Sequence, residues 1–211
     1  MTQLEIMGAN AKNASVFLRT AGSKKDDALL AIAKALREHS DEIIKANEID
    51  IENGKNAGLT ESLLDRLRLT PERINGMAEG VEQVAALADP IGNVLEGRTL
   101  KNGLNIEKVR VPMGVIGIIF EARPNVTSDA AALCLKAGSA VILRGGKEAI
   151  NSNLAVSEIM RNAVESVGFP KDCIALVKDT SRQSATDLMQ LSDYLDVLIP
   201  RGGAGLIRSV V

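Results

Sequence analysis

Two glycine-rich turns in the sequence carry cationic side chains directly after apolar runs. The first, in VILRGGKEA, contains Arg144, Gly145, Gly146 and Lys147. Its glycines let a ligand approach the backbone closely, and a helix opening near Lys147 offers free N–H groups and a positive dipole to an anion. An acidic residue here would accept the ribose hydroxyl of NAD, whereas Arg144 and Lys147 favour a 2′-phosphate. The turn predicts NADPH or NADP as the ligand, with solvated cations on an ordinary strand-to-helix turn as the alternative.

The second turn, RGGAG, begins with Arg201, Gly202 and Gly203. It again places an arginine and two glycines directly after an apolar run, the last one of the sequence. Ligands of open parallel sheets bind outside the carboxyl ends of the strands, where both turns are expected. Neither turn has the G-x-G-x-x-G spacing of the common dinucleotide fingerprint. A cofactor at this edge is therefore expected to lie across the sheet in a different way.

A third polar stretch, FEARPNVTSDAA, follows the first apolar run of the second half of the chain. Pro124 favours extended backbone before it, and Asn125 or Thr127 can begin the next helix. Asn125 therefore has two interpretations, an N-cap or an amide that donates to a developing oxyanion. The local pattern leaves both open.

The sequence offers few residues for metal or nucleophilic chemistry. Cys134 lies in the apolar stretch AALCLKAG and Cys173 opens an apolar run, so both are predicted to be small core residues. One histidine and two cysteines without a short spacing are too few ligands for most metals. No metal site, Ser-His-Asp set or paired-carboxylate motif is predicted.

The elements that must position these turns are predicted from hydrophobic periodicity. Residues 10–89 repeat apolar side chains at three- and four-residue steps, which indicates amphipathic helices whose charges form a solvated face. Ser40 is a candidate N-cap, and NGKNAG ends the same helix. Thr70 and Pro71 start another helix that runs to about Leu87.

Residues 95–111 change to a period of two around Asn102 and Gly103, which is the strongest short-range signal for a β-hairpin. A lone hairpin is at best marginally stable in water, so this one must lie on its own domain or on another subunit. We expect an arm at residues 96–112 that contacts another subunit and makes the protein a homo-oligomer.

Four apolar runs alternate with helical stretches after Pro112, at residues 114–120, 140–144, 174–178 and 195–199. This alternation predicts an α/β fold with a doubly wound parallel sheet, preceded by helices and the hairpin arm. A composition of 45% apolar but only 2% aromatic residues agrees with helices packed on such a sheet.

Net charge and the ends of the sequence indicate which partners and which location to expect. A formal charge of -2 without a basic cluster argues against a nucleic-acid partner. The first residues lack a secretory signal and no apolar stretch could span a bilayer, so a cytoplasmic protein without a membrane partner is predicted. The sequence stops just after a helix has begun, which suggests a piece of a longer polypeptide.

Two long stretches, VPMGVIGIIFEARPNVTSDAAALCLKAGSAVILRGGKEA and LLDRLRLTPERINGMAEGVEQVAAL, closely resemble the gamma-glutamyl phosphate reductase family. These enzymes, the glutamate-5-semialdehyde dehydrogenases of proline biosynthesis, belong to the aldehyde dehydrogenase superfamily. The resemblance runs along the whole chain. It implies a cofactor domain at residues 1–95 and 113–211, an oligomerisation arm at 96–112, and a catalytic domain that this chain lacks.

The resemblance also implies roles for the residues of the three turns. Arg144 falls where many superfamily members carry a lysine near the adenosine ribose, and Lys147 falls where NAD-preferring members often carry a glutamate, which implies NADPH. The PRGGAG turn is similar to the turn that approaches the pyrophosphate. Asn125 resembles the asparagine whose amide holds the thioester oxygen, although the segment from Asn125 to Gly138 is about one helical turn shorter than in many relatives.

The nucleophilic cysteine of the family lies in the catalytic domain, and neither Cys134 nor Cys173 matches its motif. In the implied reaction a cysteine thiolate displaces phosphate from gamma-glutamyl phosphate, and NADPH reduces the resulting thioester to the semialdehyde. A functional link with glutamate 5-kinase is also implied. The alternatives are a related aldehyde or acyl-CoA dehydrogenase, or a nucleotide-binding or oligomer-forming module without activity of its own.

Overall fold

Residues 1–210, which the computed structural model describes, form nine α-helices and six β-strands. The helices are α1 (Gln3–Leu18), α2 (Lys24–Glu38), α3 (Ser40–Asn56), α4 (Glu61–Leu67), α5 (Pro71–Ala86), α6 (Asn125–Lys136), α7 (Ile150–Ser166), α8 (Arg182–Met189) and α9 (Ala204–Val210). The strands are β1 (Val94–Thr99), β2 (Asn105–Val109), β3 (Val115–Phe120), β4 (Ala140–Arg144), β5 (Ile174–Leu176) and β6 (Val197–Arg201).

The four strands of the second half form one parallel sheet, in the order β5-β4-β3-β6. Ile118 in the central strand β3 lies opposite Leu143 on one side and Ile199 on the other. The chain moves outward from β3 to β5 and then returns to the other side of β3, so the order of a doubly wound sheet reverses between β3 and β6. The predicted α/β fold class is confirmed, although β6 begins two residues later than the apolar run that predicted it.

Helices cover both faces of this sheet. Helix α1 packs on one face, and α6 and α7 pack on the other. Helices α2, α3 and α5 form a further layer against α6 and α7. The buried core consists mainly of Ala, Val, Ile and Leu side chains, as the low aromatic content predicted.

The predicted helix boundaries are confirmed at two places and wrong at a third. The Thr70 hydroxyl accepts a hydrogen bond from the Arg73 N–H at the start of α5, and Gly58 adopts a φ of 75° just after α3. Ser40, however, is the first helical residue of α3 and its hydroxyl is buried without a partner among the described residues. Only His39 separates α2 from α3, so Ser40 lacks the extended backbone that an N-cap needs.

The charged residues of the first helices are not all solvated. Lys25 is only 2% exposed, and its ammonium lies 2.9 Å from the Asp89 carboxylate. Asp50 is 1% exposed. The prediction of a uniformly solvated charged face is therefore wrong at these positions. Lys25 lies on the side of α2 that faces Asp89, and Asp50 lies on the side of α3 that contacts α7.

The predicted hairpin is confirmed as the antiparallel pair β1 and β2. Its turn includes Gly103, with a φ of 85°. Every residue of both strands is exposed, including the apolar Val94, Leu95, Ile106 and Val109. The ribbon thus extends away from the rest of the described chain and leaves apolar side chains uncovered.

No helix within residues 1–210 is long and apolar enough to cross a membrane. In the same region, no three His, Cys, Asp or Glu side chains are grouped so that they could hold a metal ion.

Candidate functional site

The carboxyl edge of the parallel sheet brings the three predicted stretches together. Ile119 of β3 lies opposite Arg144 of β4, and Phe120 lies opposite Arg201 of β6, so the segments that follow these strands are neighbours. One cavity of about 280 Å³ lies beside Glu121 and Gly202, where the strand order reverses. A second, of about 320 Å³, lies beside Phe120, Glu121 and Arg144.

The Gly145-Gly146 turn is closely packed from below. A Cβ atom on Gly145 would lie 2.2 Å from the Asn153 amide nitrogen and 3.0 Å from the Phe120 ring. A Cβ atom on Gly146 would lie 3.2 Å from the Ala122 backbone nitrogen. Neither glycine has a positive φ. Glycine is needed here for close approach rather than for a left-handed backbone.

The two cations of this turn differ in their surroundings. The Arg144 guanidinium donates from Nη2 to the carbonyl oxygens of Thr180 and Ser181, each at 2.8 Å. Its Nε is buried without a partner in the described part of the chain, and burial lowers the pKa of Arg144. Lys147 is exposed and makes no hydrogen bond or ion pair within residues 1–210. Lys147 is therefore the cation that can reorient toward a bound anion.

The helix that follows this turn has part of its N-terminus occupied by a side chain. A short 3-10 helix occupies Lys147–Ala149, and α7 begins only at Ile150. The Asp50 carboxylate accepts hydrogen bonds from the Asn151 N–H at 3.2 Å and from the Ser152 N–H at 2.7 Å. A buried carboxylate from α3 therefore already holds the N–H groups of Asn151 and Ser152, and anion binding by the N–H groups nearer Lys147 stays a prediction.

A carboxylate also occupies the RGGAG turn. The Gly203 N–H donates to the Glu121 carboxylate at 2.8 Å, and a Cβ on Gly202 would lie 2.6 Å from the same oxygen. Sequence reasoning missed Glu121, whose only signal was an acidic residue at the end of an apolar run. Contact between this turn and a pyrophosphate, as the resemblance implied, requires the Glu121 side chain to move.

Asn125 is the first residue of α6, and its side chain does not cap the helix. Its amide nitrogen donates to the Asp129 carboxylate at 2.9 Å, whereas the Thr127 hydroxyl donates to the buried Asn153. The N-cap interpretation of Asn125 is therefore wrong. Burial raises the pKa of Asp129. Asn125 keeps a second amide hydrogen, so its role as an oxyanion donor stays a prediction.

Four arginines that sequence reasoning did not single out, Arg66, Arg68, Arg73 and Arg123, line a larger cavity of about 490 Å³. Arg66 and Arg68 lie at the end of α4 and just after it, and Arg123 lies in the EARPN segment. Asn125 and Asp129 line the same cavity. The available signal was RLR in LLDRLRL, whose two arginines are separated by one buried leucine, Leu67.

Both cysteines are core residues, as predicted. Cys134 is 5% exposed and Cys173 is fully buried. Burial raises the pKa of each thiol to about 12, so neither provides a thiolate near neutral pH.

We expect Cys134→Ala and Cys173→Ala to leave the turnover of the complete protein nearly unchanged, because both thiols are protonated and enclosed. Steady-state assays of both variants, with circular dichroism to confirm folding, test this expectation. A folded variant whose turnover falls by orders of magnitude would contradict it.

A parallel α/β sheet with glycine-rich turns at its carboxyl edge is typical of dinucleotide-binding domains. The chain belongs to the aldehyde dehydrogenase family, which it matches over residues 2–198. Membership of this family implies a nicotinamide cofactor.

The relatives of the chain include several gamma-glutamyl phosphate reductases. It is 54% identical to the one from Clostridium beijerinckii over 212 residues, covering 100% of this chain and 51% of that protein. It is 52% identical to the one from Moorella thermoacetica, covering 99% of this chain and 50% of that protein. These relatives confirm the resemblance found in the sequence, and the chain spans about half of their length.

Solved structures of the same family are similar to this chain. The gamma-glutamyl phosphate reductase of Thermotoga maritima matches with a TM-score of 0.97 and 40% identity, covering 99% of this chain and 51% of that one. The aldehyde dehydrogenase-like fold extends to a probable aldehyde dehydrogenase from Listeria monocytogenes, with a TM-score of 0.76 at 17% identity.

Proposed function

We propose that the complete protein carrying this chain is a gamma-glutamyl phosphate reductase, which reduces gamma-glutamyl phosphate to glutamate-5-semialdehyde in proline biosynthesis. The observation that carries the proposal is identity above 50%, along the whole chain, to relatives of that name. When bound, NADPH supplies the hydride that replaces phosphate on the acyl carbon, leaving NADP and inorganic phosphate. A functional link with glutamate 5-kinase and a cytoplasmic location stay predictions.

The residues at the sheet edge fit NADPH. Gly145 and Gly146 form a backbone surface on which a side chain would collide with its neighbours. Lys147 supplies an exposed cation without a partner in the described chain, and Arg144 lies at the end of the adjoining strand. Arg201 ends the strand on the other side of the switch point, and Gly202 and Gly203 follow it. This arrangement supports a ligand with a ribose phosphate near Lys147.

A phosphate-dependent assay separates the proposal from its closest alternative. In the reverse direction, the complete protein should reduce NADP with glutamate-5-semialdehyde only when inorganic phosphate is present. Turnover without phosphate, or turnover that needs coenzyme A, would instead indicate a related aldehyde or acyl-CoA dehydrogenase. Nucleotide binding without turnover under any of these conditions would indicate a binding module.

Lys147→Glu should lower the affinity for NADPH at least about tenfold, because a charge-assisted hydrogen bond of about 1.5–3 kcal/mol is replaced by repulsion. The affinity for NADH, which lacks the 2′-phosphate, should change far less. Titration of the complete protein with both cofactors measures the difference. Lys45→Glu, an exposed lysine on α3, is the matched control. Equal weakening of both cofactors would make Lys147 a generic surface cation.

The nucleophile is proposed to lie outside this chain, in a catalytic domain, because both cysteines of the chain are buried with raised pKa values. The chain itself then supplies the cofactor domain at residues 1–95 and 113–211, with Asn125 as one oxyanion donor. The supporting feature is the position of Asn125 at the start of α6, shortly after the central strand β3 ends at Phe120.

Deletion of residues 98–108 is expected to leave the helices and sheet folded but to weaken self-association of the complete protein at least about tenfold, since the arm is proposed to be the oligomer contact. Its uncovered apolar residues support this role. Sedimentation over a range of concentrations measures the association, and circular dichroism checks folding. An unchanged oligomer after the deletion would rule out the arm as the contact.

A further inference from the structure

The arginine groove, defined by Arg66, Arg68, Arg123, Asn125 and Asp129, lies outside the predicted cofactor turns. Helix α4 and the start of α5 form one wall. The EARPN segment and the first turn of α6 form the other. Its volume of about 490 Å³ is sufficient for a small metabolite.

Most of the cationic side chains of this groove have no internal partner among the residues that the structure describes. Arg73, at its border, donates to the Asp65 carboxylate at 2.9 Å and to backbone carbonyls. By contrast, the guanidinium groups of Arg66, Arg68 and Arg123 make no hydrogen bond or ion pair within residues 1–210. Three exposed arginines around one cavity repel one another unless anions lie between them. Their planar forks match carboxylate and phosphate oxygens.

Two acidic side chains line the same groove: Asp65, which pairs with Arg73, and Asp129, which lies beside the candidate oxyanion donor. Asp129 is partly buried and accepts the Asn125 amide on one carboxylate oxygen. Burial disfavours its negative charge, and a cation placed beside the carboxylate would favour the charged form. The groove thus offers several positions for anions and one for a cation.

The groove is continuous with the sheet edge. Arg66 and Arg123 also line the smaller cavity, which reaches Arg201 and Gly202 at the switch point. A substrate whose reacting carbon lies near Asn125 can therefore extend its charged groups along these arginines.

We infer that the arginine groove binds a substrate with an amino-acid head group, with Arg66, Arg68 and Arg123 holding its oxyanions and Asp129 holding its ammonium group. The oxyanions are the phosphate and the carboxylate, which share the same recognition chemistry. This inference rests on the proposed function, because gamma-glutamyl phosphate carries all three groups.

The reverse reaction tests the arginines, because phosphate and glutamate-5-semialdehyde are then separate substrates with separate KM values. Each arginine is replaced in turn by Met in the complete protein. At least one KM should rise about tenfold or more. A rise for phosphate assigns that arginine to the phosphate, and a rise for the semialdehyde assigns it to the carboxylate. Arg19→Met, an exposed arginine outside the groove, is the control.

Asp129→Asn tests the cation position and keeps an oxygen that can accept the Asn125 amide. The parent protein should prefer glutamate-5-semialdehyde over 5-oxopentanoate, which lacks the ammonium group. Asp129→Asn should lose at least about tenfold of this preference in kcat/KM. An unchanged preference would remove Asp129 from the inference.

The two proposals can fail separately. If the parent protein shows no phosphate-dependent reduction of NADP, the proposed function fails. If the parent is active but all three arginine variants keep both KM values within about twofold of Arg19→Met, the groove does not bind the substrate anions and the inference is overturned.

Discussion

Asp50→Ala is expected to lower the free energy of unfolding by about 3 kcal/mol or more, because four hydrogen bonds to a buried carboxylate are lost. Asp50 accepts from the N–H and the side chain of both Asn151 and Ser152, at 2.6 to 3.2 Å. Its removal leaves the first turn of α7 without partners, at about 1–3 kcal/mol for each unsatisfied group. Recovery of the solvation of the carboxylate offsets only part of this loss.

Urea unfolding followed by circular dichroism measures the effect in the parent protein and the variant. Glu48→Ala is the matched control, because Glu48 is an exposed acid on the same helix. We expect this control to change the free energy of unfolding by less than about 0.5 kcal/mol. If both variants unfold at the same urea concentration, Asp50 does not anchor α7.

The same buried cluster also positions the arginine groove. Asn47, one turn before Asp50, donates to the Ser152 hydroxyl at 3.0 Å and to the Leu67 carbonyl at 2.8 Å. Its side-chain oxygen Oδ1 accepts the Leu69 N–H at 2.8 Å. Because Arg66 and Arg68 flank Leu67, helix α3 fixes these arginines relative to the start of α7.

The fold was largely predictable because its signals are local. The Asn102-Gly103 pair predicts a hairpin through the backbone freedom of glycine, and strand β4 coincides with its apolar run. Strand β6 is displaced from its run because Asp196, within that run, accepts the Val115 N–H at 2.8 Å and belongs to the turn before the strand. The type of each element was therefore easier to predict than its ends.

The site was less predictable because its polar contacts join distant parts of the chain. Asp50 accepts the N–H of Asn151, in the first turn of α7 and 101 residues later, and Glu121 accepts an N–H from Gly203, 82 residues later. Helical periodicity places Lys25 and Asp50 among the charged residues of amphipathic helices. It does not show that tertiary packing buries their side chains. Residue types at the strand ends predicted where the site lies. Which of its N–H groups already have hydrogen-bond partners depends on tertiary packing, which the sequence does not show.

Gly145→Val is expected to lower the free energy of unfolding by about 1–3 kcal/mol, because its new side chain would overlap buried atoms. The Cβ alone would lie 2.2 Å from the Asn153 amide nitrogen, and Asn153 cannot move without breaking its 3.0 Å hydrogen bond with Thr127. The Phe120 ring, 3.0 Å from the same Cβ, closes the other side. Urea unfolding of the complete protein measures this loss.

The same substitution should weaken NADPH and NADH alike, since the valine displaces the backbone surface rather than a charge. This pattern differs from that of Lys147→Glu, which acts on the ribose phosphate alone. Gly80→Ala is the control, because a Cβ on Gly80 meets nothing within 4 Å and alanine favours the α5 helix by about 0.5–1 kcal/mol. If Gly145→Val keeps the parent stability and both affinities, the turn has room for a side chain and does not require glycine. If it loses stability alone, Gly145 serves packing and the cofactor lies elsewhere on the edge.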